Sequence, residues 1–241
     1  MIEFGKPRQQ YPGLKVMWGD RSSCAIHPED DQEGFVAYWQ ERYQALGVQS
    51  LFFIKQEHTV DGRVLIGDQA GGVHFIDDQD GDYLITNAPG VGIGVGTADC
   101  VPMIFFDPVA HVIGAAHAGW KGTVGGIAPI MLRQMQQNFG LKVEDVKVSF
   151  GPHAKVCCYE VSADFRQNLL QEIADQVLEQ RDGKWFFSGE RYNRLLLQFA
   201  GVQEYQFNSE TAECTMCNRQ FHSRRNDGPD YVGQMSIAWM V

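Results

Sequence analysis

Cys100 and His117 pair a thiol with an imidazole, the two side chains that can share one transition metal or act as a nucleophile and its base. Between them lie an apolar run (residues 101–106), a turn signal (Asp107-Pro108-Val109-Ala110) and a second apolar run (residues 111–116). This pattern predicts a hairpin, because Asp suits the first turn position and Pro pre-sets φ at the second. A turn closing Asp107 on Ala110 sets Cys100 directly opposite His117. Opposed residues of an antiparallel pair share a face, with Cβ atoms roughly 4.5–5.5 Å apart.

An open zinc site ordinarily needs a third protein ligand. His58, His74, His111, His153 and His222 are the candidates, and spacing does not choose among them. Asp99 reads either as a hydrogen-bonded turn carboxylate or as a general base or ligand-orienting group. Gly119-Trp120-Lys121-Gly122 precedes a helix and suits a tight turn as well as an anion cradle. Ser223-Arg224-Arg225-Asn226-Asp227-Gly228 offers two arginines for a bidentate grip on phosphate or carboxylate, or a salt-bridged surface turn. Cys214-Thr215-Met216-Cys217 has the spacing of a zinc knuckle, and Cys157-Cys158 could add thiols. Adjacent cysteines rarely ligate one ion together, however, and no second C-x-x-C is present, so a structural zinc is not the expectation there. Cys24 reads as incidental.

These groups need a scaffold. The chain has 241 residues, 44% of them apolar, and a formal net charge of −10, which argues against nucleic acid or an anionic membrane as partner. No apolar run is long enough to span a bilayer and no signal peptide is evident, so the expected compartment is the cytoplasm, where six cysteines are thiols or ligands rather than a disulfide framework. No obligate protein partner is evident. Residues 1–31 read as irregular. Helices are expected over 32–46 (Phe35, Trp39, Tyr43), 123–139 (Ile127, Met131, Met135, Phe139), 162–180 (capped by Ser162, stripe Phe165, Leu169, Ile173, Val177) and 190–200. Strands are expected over 48–55, 82–86, 91–95, 146–150, 202–207 and 234–241. The predicted fold is α/β (α+β): a single domain, residues 1–241, of mixed β-sheets flanked by helices.

Several blocks together resemble the bacterial family called polyphenol oxidase, laccase-domain or YfiH-like. They are Gln56-Glu57-His58, Asp82-Tyr83-Leu84-Ile85-Thr86, Thr97-Ala98-Asp99-Cys100-Val101-Pro102, Ala116-His117-Ala118-Gly119-Trp120-Lys121-Gly122, Gly151-Pro152, Tyr159-Glu160-Val161, Cys214-Thr215 and the Ser223 to Gly228 loop. The resemblance implies that His58, Cys100 and His117 bind one zinc ion, and that the fold is a single α/β domain. It also implies phosphorolysis of adenosine, inosine, guanosine and methylthioadenosine, with adenosine deamination alongside; one branch is described as a peptidoglycan editing factor. The chain departs from the family pattern between Trp18 and Asp31, after His58 (Thr59-Val60-Asp61-Gly62) and at Gly233-Gln234, all places that bear on the substrate pocket rather than on the metal ligands.

The leading expectation is therefore a zinc-dependent purine nucleoside phosphorylase acting on a nucleoside and phosphate, with His58, Cys100, His117 and Asp99 as catalytic residues and Arg224 and Arg225 binding substrate. A thiol hydrolase of amides, with Cys100 as nucleophile and His117 as base, uses the same residues. Copper oxidation of phenols is disfavoured, because a multi-copper cluster needs more converging histidines than seven in total can supply. A non-catalytic binding protein that kept the zinc is a fourth reading.

Overall fold

The computed structural model describes residues 3–23, 26–67 and 69–241. Cys24 lies outside the described residues. The chain opens with a hairpin, β1 (Pro7–Tyr11) and β2 (Leu14–Trp18), turned through Pro12-Gly13. This corrects the expectation of an irregular segment over 1–31, which overlooked a Pro-Gly turn between two short strands. Helices α1 (Gln32–Gln40) and α2 (Tyr43–Leu46) stand where one helix was expected. Asp31 caps α1 by accepting from the Gly34 amide at 2.8 Å, and Phe35, Trp39 and Tyr43 are buried. Then follow β3 (Ser50–Ile54), β4 (Gly62–Leu65), β5 (Gly72–Ile76), β6 (Tyr83–Thr86), β7 (Val91–Thr97), β8 (Val101–Asp107) and β9 (Val112–Ala118). The helix expected over 123–139 is two, α3 (Trp120–Gly125) and α4 (Ile127–Phe139), split by Gly126 in the left-handed region at φ 83°. The remainder comprises β10 (Lys147–Phe150), β11 (Glu160–Val161), α5 (Gln171–Val177), β12 (Leu178–Arg181), β13 (Lys184–Phe187), α6 (Gly189–Phe199), β14 (Phe207–Asn208), α7 (Arg224–Asp227) and β15 (Gln234–Met240).

Two expectations in that last stretch fail. The helix over 162–180 is a 3-10 turn (Ala163–Asn168), a break at extended Leu169 and Leu170, the short α5 and then strand β12; Ser162 makes no side-chain cap. Phe165, Leu169, Ile173 and Val177 are all buried, so the stripe is real but two short elements share it. The β12–β13 hairpin turns through Asp182-Gly183, both at positive φ, a two-residue turn signal that outweighs the helical pattern before it. The strand expected over 202–207 is mostly a 3-10 turn, Glu204–Gln206, with only Phe207–Asn208 in a sheet.

Two six-stranded sheets, in orders β1-β2-β15-β7-β3-β5 and β14-β10-β8-β9-β6-β4, face each other, and a three-stranded sheet, β11-β13-β12, lies apart. Both large sheets mix parallel and antiparallel pairs, and helices cover them, so the mixed α/β expectation holds. Between the sheets Val16, Trp18, Ile54, Ile93 and Val95 pack on Leu84, Ile104, Phe106, Ile113 and Ala115. The outer face of the first sheet packs on α1 through Phe35 and Trp39, and that of the second on α4 through Met131 and Met135. Every residue of β8 and β9 is buried, which explains why their sequences are almost wholly apolar, Asp107 and His117 excepted.

The loops at one end of this sandwich, where β3 and β7 finish, β8 begins and β9 ends, carry the candidate site. The two sheets are locked close there. Trp18 sits against Gly151, where a Cβ would come within 2.2 Å of the indole Cε3 atom and 2.9 Å of Pro102. Replacing Gly151 by Ala should cost about 1–3 kcal/mol by overpacking. A urea midpoint unchanged from the parent protein would show that the two sheets are not held this closely.

Candidate metal centre

The β8–β9 hairpin pairs two residues out of the expected register. Pro102 lies opposite His117 and Asp107 opposite Val112, leaving a four-residue loop. Asp107 closes that loop with its carboxylate, accepting from the amides of Val109 (2.7 Å) and Ala110 (2.9 Å), and His111 takes φ 52° to complete it. Cys100 and His117 are therefore not direct partners. A slip of two preserves the alternation of faces, however, so both side chains still point the same way. Just before β8, Asp99 adopts φ 86°, and this bend swings Cys100 toward the end of β9.

The third partner comes from the loop after β3. His58, itself at φ 58°, sets its Nε2 atom 3.7 Å from Cys100 Sγ, and its ring meets that of His117 edge-on with centroids 4.7 Å apart. One donor atom from each of His58, Cys100 and His117 falls within 4.8 Å of the others. Gly119 gives them room: a Cβ there would come within 2.3 Å of His58 Cδ2 and 3.3 Å of the Cys100 sulfur.

Asp82, immediately before β6, organises all this, although the sequence alone marks it only as the first residue of an expected strand. Its buried carboxylate accepts from the His58 amide (3.1 Å), the Thr59 amide and the Thr59 hydroxyl (2.8 Å), and lies 2.7 Å from His117 Nδ1. The backbone adds a further tie, His117 N–H to the Asp82 carbonyl at 2.8 Å. With Nδ1 engaged, His117 can present only Nε2 to the Cys100 side, the carboxylate–histidine arrangement that fixes the tautomer of metal-binding imidazoles. The only sequence cue to Asp82 is its place in the Asp82 to Thr86 block. Gln56 steadies the His58 loop by pairing both ends of its amide with the backbone of Gly96, at 2.8 Å each.

The electrostatics follow from burial and proximity. Burial alone would raise the Cys100 pKa, but the charge and hydrogen bond of His117, with those of His58, outweigh it and bring the thiol down to about 6. Burial opposes a charged His117, yet the Cys100 thiolate and the Asp82 carboxylate push its pKa up to about 10. Asp82 is held below the usual carboxylate range: burial works against this, and His117 and Thr59 overcome it. The donor set of one thiolate and two imidazoles, one of them carboxylate-oriented, suits zinc with a coordination position left open.

The remaining candidates are dispersed. His74 bonds the Ala70 carbonyl (2.8 Å) and stacks on Phe52; His153 is buried between the Gly151 carbonyl (2.9 Å) and Glu190; His222 lies beside Arg21 and Asp227; His111 sits in the hairpin turn. Asp99 directs its carboxylate away from the cluster. It accepts from the Thr215 hydroxyl (2.7 Å), the Ser223 hydroxyl (3.0 Å) and the Arg225 amide (2.8 Å), which is the work of a turn carboxylate. The two arginines part company. Arg224 lines a cleft of about 160 Å³ with His27, His58, Cys100, His117 and Tyr231, its guanidinium 5.3 Å from the Tyr231 ring centre. Arg225 instead bonds the Glu160 carbonyl (3.1 Å), lies over Tyr159 and borders a separate shallow pocket, so a joint grip by both arginines on one anion is not available. Glycines 119 and 122 shape a helix entry that crowds against His58 and Thr59. Among the described residues no helix is long and apolar enough to cross a membrane.

In protein stripped of metal, the thiolate form of Cys100 should persist above pH 6 and disappear as the pH falls through that value. Alkylation of Cys100 by iodoacetamide should then show a midpoint near pH 6, where an ordinary thiol would give about 8.5. A midpoint above pH 8 would remove the His117 interaction from the account.

A family model described as "Multi-copper polyphenol oxidoreductase laccase" matches residues 13–241. A purine nucleoside phosphorylase of Deinococcus radiodurans is 39% identical over 163 residues, 67% of this chain and 60% of that protein. The chain thus spans less than two thirds of that relative's length. The adenosine deaminase RL5, from an unknown prokaryotic organism, is 31% identical over 202 residues, 78% of this chain and 76% of its own. Among solved structures, the YfiH protein of Bacillus licheniformis superposes with a TM-score of 0.79 at 25% identity, covering 98% of this chain and 99% of that one. YlmD of Geobacillus stearothermophilus gives 0.75 at 26% identity, covering 95% and 90%. With a sequence match running over nearly the whole chain and a shared fold, the protein belongs to the laccase-like, YfiH-related family.

Proposed function

We propose that this protein is a zinc-dependent purine nucleoside phosphorylase whose metal ligands are His58, Cys100 and His117. The observation that carries the reading is the convergence of two imidazoles and a low-pKa thiol, one imidazole locked by buried Asp82, in a cleft that also holds Arg224. Relatives named purine nucleoside phosphorylase, and one named adenosine deaminase, support the substrate class and a deaminase side activity. In phosphorolysis a phosphate oxygen attacks C1′ of the ribose as the bond to the purine nitrogen breaks, leaving ribose 1-phosphate and the free base. His58, Cys100 and His117 would hold the zinc ion, which would supply Lewis-acid polarisation when bound.

The chain's own groups do the rest. Arg224 has no carboxylate partner among the described residues and offers its guanidinium to the phosphate. His27, Phe75 and Tyr231 line the same cleft and offer ring surface to a purine. Asp99 acts as a positioning residue, holding Ser223 and the start of α7 so that Arg224 faces the cleft. Arg225 braces Tyr159 on the other side of Cys100 and is not assigned to phosphate.

A second reading has its own observation. Cys100, His117 and Asp82 form a thiol–imidazole–carboxylate line, as a cysteine hydrolase of amides such as cell-wall peptides requires. The presence of His58 against the same sulfur favours the metal, since a nucleophilic thiol has no use for a second imidazole. Copper oxidase chemistry is not favoured. Among the described residues only one group of three or more potential ligands contains histidine, and a multi-copper cluster draws on many.

With inosine and phosphate, the zinc-loaded protein should release hypoxanthine and ribose 1-phosphate. Chelation should abolish turnover and zinc restore it, whereas a cysteine hydrolase would survive chelation and succumb to alkylation. Arg224→Ala should raise the KM for phosphate at least tenfold with a smaller effect on the nucleoside. Asp82→Asn should weaken zinc binding by about 10- to 100-fold, measured by competition with a chromogenic chelator. Unchanged affinity in that variant would mean that His117 does not depend on its carboxylate.

A further inference from the structure

We propose that Cys157, Cys158, Cys214 and Cys217 form a second, structural cation site that takes zinc or another thiophilic divalent ion. It is separate from the His58, Cys100 and His117 group and does not rest on the phosphorylase reading. The four sulfur atoms all lie within 4.8 Å of one another. At a Zn–S distance of about 2.3 Å, the corners of a tetrahedron stand about 3.8 Å apart. The Cys217 sulfur is 3.6 Å from that of Cys157 and 3.1 Å from that of Cys158, near this spacing and far beyond the roughly 2.05 Å of a disulfide.

Two loops are built to meet here. The first follows β10 and turns at Lys155, whose carbonyl accepts from the amides of Cys158 and Tyr159 at 2.9 Å each. That tight turn brings the adjacent sulfurs of Cys157 and Cys158 to one side, where an extended backbone would have sent them apart, and so answers the objection to neighbouring cysteines as joint ligands. The second loop follows β14. It pairs with the first through His153 N–H to the Glu213 carbonyl and Thr215 N–H to the His153 carbonyl, both at 3.0 Å. The backbone amides of Lys155, Met216 and Cys217 face the Cys214 sulfur, so the C-x-x-C turn closes around its first cysteine. Four sulfurs fill a tetrahedral ion completely, so the site has no open position for chemistry.

Its effect would be to staple the rim of the candidate active site. Thr215 holds Asp99, the Met216 carbonyl accepts from the Asn226 side chain at 3.0 Å, and Tyr159 and Glu160 receive Arg225. An ion joining the two loops would fix these contacts together.

The test uses the full chain, purified without chelator and analysed for metal, then reconstituted with cobalt(II). The parent protein should hold two equivalents per chain. Cys100→Ser should keep one, with the intense charge-transfer and d–d absorption of cobalt bound by four sulfurs. Cys217→Ser and Cys157→Ser should keep one and lose that spectrum. Should those variants fail to fold, Ellman titration of the parent protein decides the matter: stripping the metal should free five further thiols, Cys100 and the four proposed here, whereas a gain of Cys100 alone would overturn the proposal. A stoichiometry of one that falls to zero in Cys100→Ser would overturn the proposal. So would an intact mass lowered by the hydrogens lost to disulfides.

Discussion

The carboxylate of Asp82 is the interaction on which the candidate centre depends. It is buried at the residue just before β6; its Oδ1 meets both the His58 amide and the His117 ring, and its Oδ2 accepts from Thr59. Loop, strand β6 and strand β9 are thereby held in one relation to each other. A buried charge without partners would cost several kcal/mol. Here every partner of that charge belongs to a segment that also delivers a ligand, so satisfying the carboxylate and assembling the site are the same event.

A second carboxylate works in the same way at the opposite wall. Asp99 and His58 both adopt left-handed backbone, a conformation that costs a non-glycine residue of order 1–3 kcal/mol unless its surroundings impose it. At Asp99 the imposition is plain, since three hydrogen bonds reach its side chain from Thr215, Ser223 and Arg225. At His58 it comes from Asp82 through the backbone amide, with Gly119 leaving the ring its space. Among the described residues the other two non-glycine residues at positive φ, His111 and Asp182, serve hairpin turns, whereas these two sit at a candidate ligand and beside one. The sheets beneath are rigid, packed on both faces by large apolar side chains, and can bear that strain.

Much of the fold could be read in the sequence because the central strands announce themselves. Residues 101–106 and 112–116 are apolar without interruption, and they form the fully buried middle of a sheet. Elements set by tertiary context were less legible. The stripe Phe165, Leu169, Ile173, Val177 is spaced as a helix, but the Asp182-Gly183 turn draws residues 178–181 into a hairpin and leaves room for only two helical turns. The polar strand β1 carries no hydrophobic alternation at all. Within the site, Cys100 and His117 could be found from the parity of a hairpin, which survived a two-residue error in register. His58 could not be found from spacing, because its proximity is created by strand order β7-β3 in one sheet and β8-β9 in the other. Asp82 was hidden for the same reason: a lone Asp before a strand has no periodic partner to mark it. The dispersal of Arg224 and Arg225 follows from α7, whose turn sends neighbouring side chains to different clefts.

The central claim is that three side chains from three segments grip one cation. Anomalous difference density collected at the zinc absorption edge from crystals grown with zinc tests it most directly. The account predicts a peak about 2.0–2.1 Å from a ring nitrogen of His58 and Nε2 of His117, and about 2.3 Å from Cys100 Sγ. A zinc-bound crystal with no peak among those three atoms would contradict it.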